Sequence, residues 1–330
     1  MKKSYYLYTN GALHRHDNTL QFTASDDVKR DLPIERINDI YIMSEVSLNS
    51  ALFNFLGANG ISVHFFNYYS FYTGSFSPRD TLPAGDLLVK QVDHYSNPDK
   101  RLDLAYRFID AATANIYRNL RYYNGRGKDL NVQMNEISSI RSRLKEAREI
   151  TELMGYEGMI HKIYYDSWNT IIDQPIDFTK RVKRPPDNMI NTLISFVNSL
   201  IYTKVLSEIY HTQLNPSISF LHVPGVRRYS LCLDIAEIFK PLLGDRTIFS
   251  LLNRNQITPN SFTKDLNALH LTKTASQTIV QYLDERLKKT IYHKDLDKQV
   301  SYQYLIRLEC YRLIKHILGE KCYEGFQIWW

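Results

Sequence analysis

Glu157, His222, Asp234 and Glu237 are the side chains whose types and spacing could do chemistry in this sequence. Glu157 stands near the start of an apolar and aromatic stretch that reads as helix. Gly158 beside it is about 1 kcal/mol less helix-favouring than alanine, and a glycine there lets a ligand or backbone come close. His222 closes an apolar stretch and precedes Pro224-Gly225, so a rigid segment holds it. Asp234 and Glu237 are three residues apart, which places both carboxylates on one helix face. Such a pair repels unless it is solvated or paired with a cation, and Arg227, Arg228 or a metal would serve. Taken singly, each residue also has an ordinary reading: a surface glutamate, a structural histidine, a solvated helix face. Taken together, two carboxylates and an imidazole are a mostly hard donor set suited to Mn²⁺ or Mg²⁺. An ion so held can polarise a phosphodiester and help to deprotonate an attacking hydroxyl. Arg227 and Arg228 are placed to hold phosphates by bidentate bonds.

The elements that must position these groups divide into two textures. Residues 1–77 read as strands around one short helix. Tyr5 to Tyr8 is β-prone, and Asn10-Gly11 predicts a hairpin turn. A second turn is expected at Asp17-Asn18, between Leu13–His16 and Thr19–Phe22. Ser47 is placed to cap a helix running through Leu56. Ile61, Val63 and Phe65 alternate with polar residues as a half-buried strand, and Phe71–Phe76 reads as the last strand. Residues 78–86 hold two prolines and a glycine and read as a linker. From residue 87 to residue 330 the period is helical. A long helix is expected from Pro98 or Asp99 to about Tyr123, with further helices near 131–150, 152–172, 187–212, 228–241, 261–268, 274–290 and 299–318. The expected fold class is therefore α+β: a small β-sandwich-like domain, then a larger all-α domain carrying the chemistry.

Composition narrows the function classes. Hydrophobic residues make up 44% of the 330, enough for a substantial core. There is no run of eighteen apolar residues and no apolar core near the start, so a cytoplasmic location is expected. Cys232, Cys310 and Cys322 are too far apart for a thiolate metal site or a disulfide framework. No GxxxxGK[ST] loop occurs, so nucleotide hydrolysis is not indicated. Net charge is +6, yet residues 1–85 carry seven basic and eight acidic residues, so the excess lies wholly in the later part. That favours a polyanionic partner there.

Three pieces of sequence carry a family likeness: Glu157-Gly158, Phe220-Leu221-His222, and Ser230 through Pro241. In that order and spacing they resemble the CRISPR-associated spacer-acquisition integrase family. Leu32–Ile37 and Gly60–Val63 resemble its β domain. Gly85–Gln91, Arg184–Asn191 and Gly244-Asp245-Arg246 resemble later segments. The resemblance implies a metal-dependent endonuclease and integrase with Glu157, His222 and Glu237 as ligands and Asp234 assisting. It implies a homodimer joined through the β domains, a small ferredoxin-like adaptation subunit as partner, and double-stranded DNA as substrate and target. The alternative is a non-catalytic DNA-binding scaffold of the same fold.

Further DNA contacts are expected at the basic run Lys180, Arg181, Lys183 and Arg184, which lies in a loop before prolines. Of the 24 tyrosines, Tyr165 and Tyr164 lie close to Glu157 on its helix face and are candidates to stack on bases. His161, four residues after Glu157, is expected beside it. The apolar end, Phe326–Trp330, is expected to dock on its own chain or on a partner.

Overall fold

The computed structural model describes residues 2–78, 84–176, 178–183, 185–226, 229–265 and 268–330. The chain forms two compact units, Met1–Pro83 and Ala84–Trp330. Most of the segment 78–86, and with it the expected linker, lies outside the described residues.

The first unit holds β1 (Lys3–Leu7), β2 (Gly11–His16), β3 (Thr19–Ala24), β4 (Lys29–Leu32), β5 (Ile37–Ile42), β6 (Val46–Ser47), α1 (Ser50–Ala58), β7 (Ser62–Phe66) and β8 (Tyr72–Phe76). Two four-stranded sheets form, in the orders β1-β5-β7-β8 and β4-β3-β2-β6. Their inward residues share one core: Leu7, Ile40 and Val63 from the first sheet, Leu13, Leu20 and Phe22 from the second, with Leu52 and Leu56 of α1. The Asp17-Asn18 turn joins β2 to β3, with His16 opposite Thr19 and Asp17 at φ 51.

The hairpin expected at Asn10-Gly11 does not form. Strand β1 pairs in parallel with β5, and β2 belongs to the other sheet. Gly11 is needed for close approach instead, because a Cβ there would lie 2.2 Å from the Thr23 carbonyl oxygen. The helix cap also differs. Ser47 is in β6, and Asn49 caps α1 by accepting from the Leu52 N–H at 2.9 Å.

The second unit contains α2 (Gly85–Ser96), α3 (Pro98–Asn124), α4 (Asn131–Arg143), α5 (Ile150–Asp166), α6 (Trp168–Ile171), α7 (Met189–Tyr210) and α8 (Ser230–Phe239). A π-helical turn, Lys240–Asp245, leads from α8 into α9 (Arg246–Asn253). Then come β9 (Phe262–Asp265), β10 (Ala268–Leu271), α10 (Lys273–Lys288), β11 (Thr290–His293), β12 (Lys298–Ser301) and α11 (Tyr302–Ile317). The unit is therefore not all-α. Residues 261–268, expected as a helix, contribute to the antiparallel pair β9–β10, and a second pair, β11–β12, follows α10. Phe262 and Lys264 pair with Leu271 and Leu269, a period of two that the short segment hides.

Helix α3 is the floor of this unit. Asn97 caps it, Pro98 opens it, and α4, α5 and α8 pack on it. Helix α7 is long and apolar enough to cross a membrane by length and composition, with a mean hydropathy of 1.3. It is 72% buried inside the fold, as a core helix is. The C-terminal segment docks on its own chain: Tyr323, Phe326 and Ile328 are buried. The Asn115 side chain donates to the Phe326 carbonyl and accepts from the Ile328 N–H, at 2.9 and 2.8 Å.

Candidate metal centre

Glu157 and His161 project from α5, and Glu237 from α8. Both helices lie on α3, so side chains from distant stretches of sequence meet above Ile109, Ala112, Thr113 and Ile116. The small residues Ala112 and Thr113 leave room for them. His161 Nε2 is 3.7 Å from Glu157 Oε1 and 3.7 Å from Glu237 Oε2. One donor atom from each of the three lies within 4.8 Å of the others. The Lys240 ammonium, on the π-helical turn, forms an ion pair with Glu237.

These groups set one another's charge. Burial raises the Glu157 carboxyl above its ordinary value, and the neighbouring Glu237 carboxylate adds to the rise. Burial acts the same way on Glu237, but Lys240 and His161 outweigh it and hold that carboxyl well below the usual range. Burial would lower His161, and its contacts with Glu237 and Glu157 reverse the direction, so its imidazole holds a proton more tightly than usual.

Asp234 shares the face of α8 but does a different job. It is fully buried. Its Oδ2 accepts from the N–H groups of Phe220 and Leu221 at 2.7 and 3.0 Å. Its Oδ1 accepts from the His222 N–H at 3.0 Å and faces His222 Nδ1 at 2.8 Å. Because a carboxylate only accepts, the proton sits on Nδ1 and the lone pair of Nε2 stays available. Burial lowers the His222 pKa, but the bond to Asp234 outweighs it and raises the value; Glu237 and Glu157 also act on this imidazole.

The remaining expected contacts fare unequally. Arg184, Arg227 and Arg228 lie outside the described residues. Lys180 and Lys183 are exposed. Arg181 turns inward and donates to the Asn191 side chain at 3.1 Å and to Ser195 Oγ at 2.8 Å. Tyr165 is half-buried, stacked on His161 with ring centroids 5.4 Å apart and packed edge-on against Trp168 and Phe178. Tyr164 is buried, and its hydroxyl donates to Asp245. Gly158 faces open space. The central place of His161 was visible in the sequence only as its spacing of four from Glu157; Lys240 and Asp245 fell within the segments of family likeness, which gave them no individual role.

Among protein families, the model for "CRISPR associated protein Cas1" matches residues 5–285. The chain belongs to the Cas1 family. A CRISPR-associated endonuclease Cas1 of Fusobacterium nucleatum is 61% identical, covering all of this chain and 98% of its own length. A solved Cas1 protein from Thermotoga maritima superposes with a TM-score of 0.89 at 36% identity, over 98% of this chain and the whole of that one. A casposase bound to integration product shares the fold at a TM-score of 0.87 and 21% identity, over 97% of this chain and 92% of that one. Membership places the chain among the metal-dependent enzymes of CRISPR systems, whose relatives are named as endonucleases.

Proposed function

We propose that this Cas1-family enzyme joins short DNA fragments to a CRISPR array, a fragment's 3′-hydroxyl attacking a phosphodiester. The observation that carries the reading is the convergence of Glu157 and Glu237, from separate helices, on one imidazole. Two half-stripped carboxylates held this close repel each other, and a divalent cation would relieve that cost. The carboxylates fit Mn²⁺ or Mg²⁺: Glu157 and Glu237 would hold the ion, with the Nε2 of His222, which the family likeness implies, in place of the His161 that the cluster contains. When bound, it supplies Lewis acidity to the phosphodiester and lowers the pKa of the attacking hydroxyl.

The chain's own residues supply the rest. Asp234 fixes the His222 ring through its Nδ1 and pins the segment before it. His161 balances the two carboxylates as a cation until the ion takes that role. Lys240 holds Glu237 in its ionised form. One phosphodiester forms as another breaks, so no nucleotide is consumed. With water as nucleophile the same site gives hydrolysis.

The basic excess of the second unit supports double-stranded DNA as fragment and target. Exposed Lys180 and Lys183, with Arg184, Arg227 and Arg228, belong to that contact. The family likeness supports a homodimer joined through the β unit and a small ferredoxin-like adaptation subunit as partner. The test is strand transfer of a short duplex into a supercoiled plasmid bearing a CRISPR repeat, with Mn²⁺ and the partner. Joining by wild type and not by the His222→Ala variant is expected. DNA binding without joining by wild type would leave a non-catalytic scaffold.

A further inference from the structure

Three arginines gather at the end of α3 away from the candidate metal centre. The Arg126 guanidinium lies over the Tyr122 ring at 4.6 Å from its centroid, and that of Arg246 lies at 5.7 Å. Arg126, Arg246 and Arg286 all act electrostatically on the adjoining Tyr123. Tyr122 is 45% exposed, so the group opens to solvent.

Among the described residues, each of the two inner arginines hydrogen-bonds through one nitrogen only. Arg246 Nε donates to Asn119 Oδ1 at 2.6 Å, and Arg286 Nε donates to the Leu242 carbonyl at 2.8 Å. No carboxylate pairs with either among the described residues. Arg286 is 9% exposed and is lowered to about 10, first by burial and then by the like charge of Arg246. Nearly buried guanidinium groups are ordinarily paired, and two left together favour an anion between their free forks.

Arg246 is also joined to the helix of the metal centre. Asn119, which accepts from Arg246, donates to the Tyr164 hydroxyl at 3.0 Å and to the Pro241 carbonyl at 2.8 Å. Tyr164 in turn donates to Asp245 at 3.0 Å. Tyr164 lies on α5 with Glu157 and His161, and Pro241 follows α8 with its Glu237. Along α3, Tyr122 stands nine residues beyond Thr113, about 14 Å at 1.5 Å per residue. One DNA strand readily spans that separation.

We propose that Arg126, Arg246 and Arg286 form a second anion site that grips a backbone phosphate of the DNA strand, and that Arg246, through Asn119, ties that grip to the position of α5. The inference rests on the reading of the chain as a DNA-joining enzyme. Arg246 is a positioning residue in this scheme, since it touches no reacting atom.

The test uses the full-length protein with its partner subunit. Binding of a fluorescent oligodeoxythymidylate is titrated against KCl for wild type, Arg126→Ala and Arg286→Gln. Each variant should bind several-fold more weakly, with a salt slope shallower by about 0.7, the value of one lost phosphate contact on a single strand. Arg126 is exposed, so its variant reports even if Arg286→Gln fails to fold. An unchanged slope in Arg126→Ala, or ready displacement of the oligonucleotide by millimolar inorganic phosphate, overturns the site as a strand grip. For the tie to α5, strand transfer is measured at saturating DNA. Arg246→Lys keeps the charge but loses the Nε bond to Asn119. At saturating DNA, where weaker binding does not limit the rate, it should still react slower, on the order of tenfold to a hundredfold, as small misplacements do. A normal saturated rate overturns the tie. If Glu157→Gln transferred strands like wild type, the catalytic reading itself would fail, while the binding measurements would still decide the anion site.

Discussion

Asp234 holds His222 twice, accepting from its backbone N–H at 3.0 Å and from its ring Nδ1 at 2.8 Å. The same carboxylate takes the N–H groups of Phe220 and Leu221. One buried side chain therefore fixes both the place of the histidine and the tautomer that leaves Nε2 free.

Asp234→Ala should accordingly cost stability as well as metal. Three backbone donors lose their acceptor, at about 1–3 kcal/mol each when buried. Urea unfolding without metal should show a loss of about 3 kcal/mol or more, and Mn²⁺ affinity should fall roughly 10- to 100-fold. Unchanged stability would mean that the segment before His222 is held by something else.

Metal binding should release protons. Glu157 and His161 both hold protons more tightly than usual, and an ion between the carboxylates opposes both. Affinity for Mn²⁺ should therefore rise with pH across the neutral range. Calorimetry in buffers of different ionisation enthalpy should show proton release, and Glu157→Gln should reduce the number released. His222→Ala should lower affinity on the order of tenfold or more. A larger loss in His161→Ala would make His161 the imidazole ligand.

Asp245 gives a stability signature. Burial raises its carboxyl from 3.8 to about 7. Between those values the unfolded chain has released this proton and the folded one has kept it, so the folded state binds more protons. The contribution of Asp245 to stability therefore falls as pH rises from about 4 to 7 and levels off above. Asp245→Asn can still accept from Tyr164 and should flatten that slope in denaturant titrations. An identical slope in the variant would place the titration elsewhere.

Gly11→Ala should destabilise the β unit by about 1–3 kcal/mol through overpacking, because its Cβ would collide with the Thr23 carbonyl. A thermal melt within experimental error of wild type would show that β2 and β3 can separate at little cost.

Several of these relationships were legible in the residues and others were not. The strands around Leu13–Phe22 and the long helix after Pro98 follow from period and caps, which are local. The acidic groups of the cluster were equally plain, since Glu157 and Glu237 stand out against apolar neighbours, whereas the imidazole between them is His161 and not the expected His222. The division of labour between Asp234 and Glu237 was not, because spacing puts both on one face and only packing decides which meets the 220–222 backbone. Asn10-Gly11 misled for the same reason: a glycine chosen for closeness to Thr23 looks like one chosen for a turn. Arg181 reads as a DNA contact within its basic run, and its turn inward to Asn191 and Ser195 depends on packing that the run does not reveal.

The docked segment around Phe326 acts on the candidate site from a distance. Phe326 stacks on Phe239 at the end of α8, and Asn115 of α3 bonds both to Phe326 and to the Ile238 carbonyl. The floor and the Glu237 helix are thus braced by a segment that contributes no group to the site. A change at Phe326 would therefore reach Glu237 through the seating of α8, with every side chain of the cluster left in place.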